Sequence, residues 1–383
     1  MKNYLFLLLI ALLIIPTISA ITSITNCDEL QAIENDLAGE YVLVNDINCS
    51  MTSSWNGGGG FIPITDFTGT LDGQYHKISN LFINVSANET ITNSNVAIFS
   101  RIDGNVIIKN LVIENPTISG TTTGGVKTHI AVLVAEDENS NGNVQNIKII
   151  GANIYAYSSY NYCGIMYGEL SSSLIQSIIE NSNLFDCYDY GGGFLGKSGG
   201  MTLIDSYISN VTITGHLRIG TFTGEAQDMY RLYSKTKGSA GFGLPNCAED
   251  GIYYNSAFGG NCGDAKTEEE LKTQETYSAY APYGNYDFDN IWYINNNYNE
   301  GYPCLRWEQG CVPEEPQQQT GFTPTGQAVY EIMNSSGAGL GIFMNFMGQA
   351  LPVLLLLLSF IGIVFVIGYS IVLFFKHSGT NQN

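Results

Sequence analysis

The segment FTGTLDGQYHKISNL, Phe67–Leu81, sets Asp72, His76 and Lys77 close together. A carboxylate, an imidazole and an amine at that spacing could pass a proton between them. Two acidic groups invite the same question. Glu136-Asp137-Glu138 lies in AEDENSNGN, and Asp287 and Asp289 flank Phe288. Paired carboxylates serve as acid and base, and clustered ones hold Ca²⁺. Each group also has a plainer reading. AEDENSNGN reads as a solvated loop, and it lacks the spaced D-x-D-x-D pattern of a calcium loop. Asp287 and Asp289 read as capping residues. The four histidines, His76, His129, His216 and His377, are far apart in sequence. They form no HExxH motif, and neither a G-x-S-x-G elbow nor a P-loop occurs. GGGFLGKSGG has the wrong spacing for a phosphate loop and reads as a Gly-rich turn. No catalytic, cofactor-binding or metal set is expected, and the chain reads as a non-enzyme.

The elements that would position such residues are repetitive. Ile78-Ser79-Asn80-Leu81 returns as Ile108-Lys109-Asn110-Leu111, Val144-Gln145-Asn146-Ile147, Ile175-Gln176-Ser177-Ile178 and Ile204-Asp205-Ser206-Tyr207. A small residue ahead of an apolar pair runs in step: Ala97-Ile98-Phe99, Ala131-Val132-Leu133, Gly164-Ile165-Met166, Gly193-Phe194-Leu195 and Gly220-Thr221-Phe222. Each copy holds short period-two runs bounded by Gly, Asn and Ser, with no long helical pattern between them. One copy cannot bury its apolar face alone, whereas stacked copies share a continuous core. The expectation is an all-β chain, a parallel β-helix, with Asn80, Asn110 and Asn146 stacked as a ladder. Copies of this length are too short for four-stranded propeller blades. His76 and Lys77 have no counterpart in later copies, so the trio reads as the first rung of a scaffold. The chain has 24 Tyr, and clusters such as YAYSSYNY read as outward ladders or contact surfaces.

The ends read differently. Lys2 precedes a short apolar run and Ala20, a secretory leader with the mature chain starting near Ile21. Leu351 to Phe375 is an uncharged apolar run followed by Lys376 and His377, a single span with the C-terminus inside. Net charge is −20, which disfavours nucleic acid as a partner. The eight cysteines all lie between leader and span, as disulfides in an oxidising compartment would. Neighbour pairing is the simplest arrangement: Cys27 with Cys49, Cys163 with Cys187, Cys247 with Cys262, and Cys304 with Cys311. Cys163 and Cys187 are about one coil apart and could meet between adjacent coils. Sequons at Asn84, Asn88, Asn210 and Asn334 are glycosylation candidates. Asn48 is a poorer one, because Cys49 occupies its middle position.

GGGGFIPITDFTGTLDGQYHKISNLFI resembles the opening segment of GLUG-type right-handed β-helix surface proteins. The matching residues are Phe61, Pro63-Ile64, Phe67 through Gly73, and Ile78 through Leu81. DFDNIWYINNNYNEGYPCLRW resembles their closing segment, through Trp292, Gly301, Tyr302, Pro303, Leu305 and Trp307. The resemblance runs from Cys27 to Trp307 and implies a right-handed parallel β-helix with an adhesin-like, membrane-anchored role. The expected organisation is leader 1–20, N-terminal cap 21–60, coils 61–245, C-terminal cap 246–311, stalk and juxtamembrane segment 312–350, transmembrane helix 351–375 and cytoplasmic tail 376–383. A capping box at Thr267 and Glu270 starts a short helix. With Trp292, Tyr302 and Trp307, that helix is expected to plug the C-terminal mouth of the solenoid. The function expected is adhesion to, or recognition of, glycans or surface proteins of a partner cell, by a prokaryotic surface protein or a viral spike. The alternative is a membrane-anchored polysaccharide lyase or glycoside hydrolase.

Overall fold

The computed structural model describes residues 21–87, 93–122, 127–137, 142–157, 161–198, 202–225, 228–234, 252–255, 263–278 and 286–313. The expected leader, the expected stalk beyond Pro313, the apolar run 351–375 and the expected tail lie outside them, as do Asn88, Asn334, Cys247 and Cys262. Among the described residues no helix is long and apolar enough to cross a membrane.

Among the described residues, strands stack in parallel into one 13-stranded sheet and three five-stranded sheets. Successive coils add to all four. In one coil, Ile107–Glu114 joins the long sheet, Thr117–Thr122 the second, Lys127–Ile130 the third and Val134–Asp137 the fourth. The next coil repeats this with Asn143–Ile150, Asn153–Tyr157, Asn161–Gly164 and Tyr167–Leu170. The result is an all-β, β-helix-like fold.

Register explains the core. Ile83, Ile118, Ile154 and Leu184 pair in one column and are fully buried. In the long sheet, Ile107–Glu114 and Asn143–Ile150 break simple alternation in the same place. Asn110 and Asn146 have φ of 54° and 56° there. This left-handed conformation, which Asn tolerates better than most residues, kinks the strand and turns both Ile108 and Leu111 inward. Asn146 Nδ2 donates to Asn110 Oδ1 at 2.9 Å, and Asn110 Nδ2 to Asp72 Oδ1 at 3.1 Å.

Asn80 is not part of that ladder. Leu71 pairs with Ile108, and Ile78 with Ile113. Asn80 therefore belongs with Asn115, Gly151, Asn181 and Asn210, all at positive φ. These mark the corner where the long sheet gives way to the second. The amide of each of Asn80, Asn115, Gly151 and Asn181 donates to the last long-sheet strand of the following coil. Each coil has two sites that favour Asn, and the sequence motif alone conflates them. Gly164 likewise pairs with Gly192, one residue before the Gly193 expected from the motif.

The N-terminal helix Cys27–Gln31 is capped by Asn26, whose Oδ1 accepts from Glu29 N at 3.0 Å. It sends Leu30 into the core, and Cys27 bonds to Cys49. Cys163 bonds to Cys187, and Cys304 to Cys311.

The C-terminal segment departs from expectation. Thr267 and Glu270 do form a reciprocal capping box, Glu270 N to Thr267 Oγ1 at 3.2 Å and Thr267 N to Glu270 Oε2 at 2.7 Å. They open only a 3₁₀ turn, Glu270–Lys272. Residues 286–313 then run back along the outer face of the long sheet as a strap, instead of plugging its mouth. The reason lies in an outward column of that sheet, where Ile178, Tyr207, Tyr233 and Tyr253 stand in register. Left uncovered, this column would expose a large apolar surface. It packs with Tyr277, Tyr286, Trp292, Tyr302 and Leu305 as a second core. Trp307 reaches furthest: Nε1 donates to the Gln176 carbonyl at 3.1 Å and the ring stacks on Tyr75.

Candidate functional site

Outside the core, the third and fourth sheets meet at a re-entrant corner. Ala97, Ala131 and Ala135 form a small buried cluster there, separate from the main core. A Cβ on Gly168 would come within 2.5 Å of the Ala135 carbonyl oxygen. Small residues thus let the two outer faces approach, and the side chains beside them converge.

Two columns supply those side chains. On the third sheet Asn95, His129, Tyr162, Tyr190 and Arg218 pair in register. On the fourth, Arg101, Glu136, Glu169 and Lys197 do so. His129 sits at the centre, 1% exposed. Its Nδ1 lies 2.8 Å from Asn95 Oδ1 and its Nε2 lies 3.0 Å from Glu169 Oε2. Asn95 Nδ2 donates to Glu136 Oε2 at 2.6 Å, so its Oδ1 is free to accept. Both neighbours of the ring present acceptor oxygens to it. Glu169 also accepts from Lys127 at 3.1 Å and Lys197 at 3.4 Å. Both ammonium groups lie over the Tyr162 ring, at 4.6 and 5.1 Å from its centroid. Arg218 lies over Tyr190 at 4.5 Å. The hydrogen bond from His129, reinforced by the charge of Lys127, holds the Glu169 carboxyl down to about 2.

His129, Glu136 and Glu169 could each offer a metal one ligand atom, all within 4.8 Å of one another. The two lysines already supply the positive charge that a cation would bring to Glu169. The arrangement is a charge-balanced clamp joining successive coils, with Tyr, Lys and Arg at its rim.

This corrects the solvated-loop reading of Glu136 and Asp137. Both lie on the strand Val134–Asp137. Glu136 bonds to Asn95, and Asp137, 2% exposed, accepts from Ser172 N at 2.8 Å. Glu138 lies outside the described residues. The trio at the first coil is dispersed among other partners. His76 and the Lys77 amide both bond Asp46, while Asp72 pairs with Lys109 at 3.4 Å. Asp287 accepts from the Asp289 and Asn290 amides at 3.0 and 2.9 Å and closes a turn. His216 stands exposed beside Tyr188, and His377 lies outside the described residues. Asn84 and Asn210 are exposed.

Sequence reading missed the clamp because its members come from different coils. A signal did exist. Asn95, His129 and Tyr162 each stand two residues before the small residue of the second motif. Glu136 and Glu169 each follow it by five.

No family model matches the chain. Halomucin of Haloquadratum walsbyi is 45% identical over 103 residues, which cover 26% of this chain and 1% of halomucin. The crystal structure of a proposed immunoglobulin A1 protease from Bacteroides ovatus covers 76% of this chain and 94% of its own, at a TM-score of 0.46 and 17% identity.

Proposed function

We propose that the chain is a right-handed β-helix of the GLUG type. In this reading it is displayed on a cell or virion surface by a single C-terminal span, and it binds glycans or surface proteins of a partner cell without chemical turnover. The observation that carries the reading is the outer surface of the coils. Aromatic and charged side chains from successive coils stand in register there, on a backbone fixed by ladder hydrogen bonds. The second sheet stacks Tyr155 on Phe185 at 5.3 Å, with Tyr157 beside them and 47% exposed. The third presents Tyr190 under Arg218. Tyr and Arg on a rigid support offer contact area at little entropic cost. The match to halomucin, the resemblance at both ends of the coils and the disulfides among the described residues support an extracellular setting.

The test is binding of the full-length chain, reconstituted in vesicles, to panels of neutral and acidic glycans and to whole cells. Saturable binding lost on replacing Tyr155, Tyr157 and Tyr190 by Ala is expected. No binding to any panel would refute the recognition role. Turnover of a glycan would replace it with an enzymatic one.

A further inference from the structure

The strap is held by a buried charged contact. Lys148, on the outward face of the long sheet, places Nζ 3.0 Å from Glu308 Oε2 and 3.1 Å from Glu180 Oε2. The Glu308 side chain is 1% exposed and that of Lys148 12%. Glu308 Oε2 also accepts from the Tyr207 hydroxyl at 2.9 Å and the Tyr298 hydroxyl at 3.0 Å. Its other oxygen, Oε1, accepts from Leu305 N at 2.8 Å. The Tyr207 hydroxyl is also 3.0 Å from Glu180 Oε1, so it touches both carboxyl groups.

We propose that Lys148 and Glu308 condense to an amide, which fixes the strap covalently across the coils. The ion pair already holds every atom required. The –NH₃⁺ of Lys148 and the –COO⁻ of Glu308 give –NH–CO– and one water, with no change of oxidation state. Glu180 takes a proton from Nζ and frees its lone pair for the Glu308 carboxyl carbon. The C–Oε2 bond breaks. The two protons that leave Nζ end on Oε2, relayed through Glu180 and the Tyr207 hydroxyl, and Oε2 departs as water. Oε1 remains as the amide carbonyl and keeps the hydrogen bond from Leu305 N. The Tyr207 and Tyr298 hydroxyls and Leu305 N–H are in place to hold the charge that develops on the two oxygens. Burial favours the product, because a neutral amide replaces two charges held away from water. Proximity supplies the rest, since the reacting groups are held in contact by the packed strap.

Mass spectrometry of the full-length chain, denatured, reduced and digested, tests this. The expected result is one cross-linked species joining the peptides that contain Lys148 and Glu308, 18 Da below their sum. K148R keeps the ion pair and should lose the species. E180Q should lose or slow it while the fold, followed by circular dichroism, is kept. Two unlinked peptides from the wild-type chain would overturn the proposal. So would an 18 Da loss that persists in K148R, because it would place the dehydration elsewhere.

Discussion

Glu169→Gln tests the central claim about the clamp. The Glu169 carboxyl titrates at about 2 in the fold, against 4.5 for an ordinary glutamate. At about 1.36 kcal/mol per unit, this corresponds to a contribution of about 3 kcal/mol. The folded-state value is depressed, so the contribution is present above the unfolded value of 4.5. It is lost as pH falls through about 2. By pH 2.5 the wild-type chain should have lost roughly 2.5 kcal/mol of it. Glutamine keeps the shape and an acceptor oxygen but has no charge. The variant should be about 3 kcal/mol less stable at neutral pH, the scale for breaking a partly buried pair. It should show a correspondingly shallower acid dependence. Urea unfolding followed by intrinsic fluorescence at pH 7, 5, 3.5 and 2.5 measures both, and the two chains should converge at the acid end. If E169Q is as stable as wild type at pH 7, or loses as much on acidification, the clamp is not what Glu169 contributes.

Three further perturbations address the coils and the strap. Replacing Cys163 and Cys187 together by Ala removes a link closing a separation of 24 residues. Loop entropy puts the loss at about 3 kcal/mol, read as a lower unfolding midpoint under non-reducing conditions only. Gly164→Ala places a Cβ 1.8 Å from the Tyr167 carbonyl oxygen. It should cost roughly 3 kcal/mol or more. Gly57→Ala, at φ +65° with nothing within 4 Å, should cost only about 1 kcal/mol, and thermal melts of the two compare them directly. Trp292→Phe removes the indole N–H that meets Asp205 at 2.9 Å inside the strap. Arg231 still pairs with Asp205 at 2.6 Å, so the expected loss is about 1–2 kcal/mol, seen as faster proteolysis of residues 286–313.

Much of the architecture was legible because stacking imposes a period on the residues that face inward. Ile108 and Val144, or Ala131 and Gly164, had to recur, and so the repeats could be found without a structure. The Cys163–Cys187 link followed from the same period. Phase was harder to read. Asn80 and Asn110 look equivalent in their short motifs, yet one turns a corner and the other kinks a strand. Both sites call for a residue that tolerates positive φ, and both bring an amide into a ladder. The strap was misplaced for another reason. Trp292, Tyr302 and Trp307 suggest a plug for the C-terminal mouth, and they instead pack on the outer face of the long sheet. What they cover is the outward column through Tyr207 and Tyr233, which only register identifies.

The sequence by itself determined the solenoid, because burial of one apolar face per copy leaves stacking as the solution. It also determined that Asp72, His76 and Lys77 are not a repeated device. Only the tertiary structure decided that His129 meets Asn95 and Glu169, 34 and 40 residues away, and that Lys148 meets Glu308, 160 residues away. Coil lengths vary, so each coil shifts the phase of the next. Which side chains face one another across a corner or beneath the strap is set by register and by the bend between sheets, and neither is written in any single copy of the repeat.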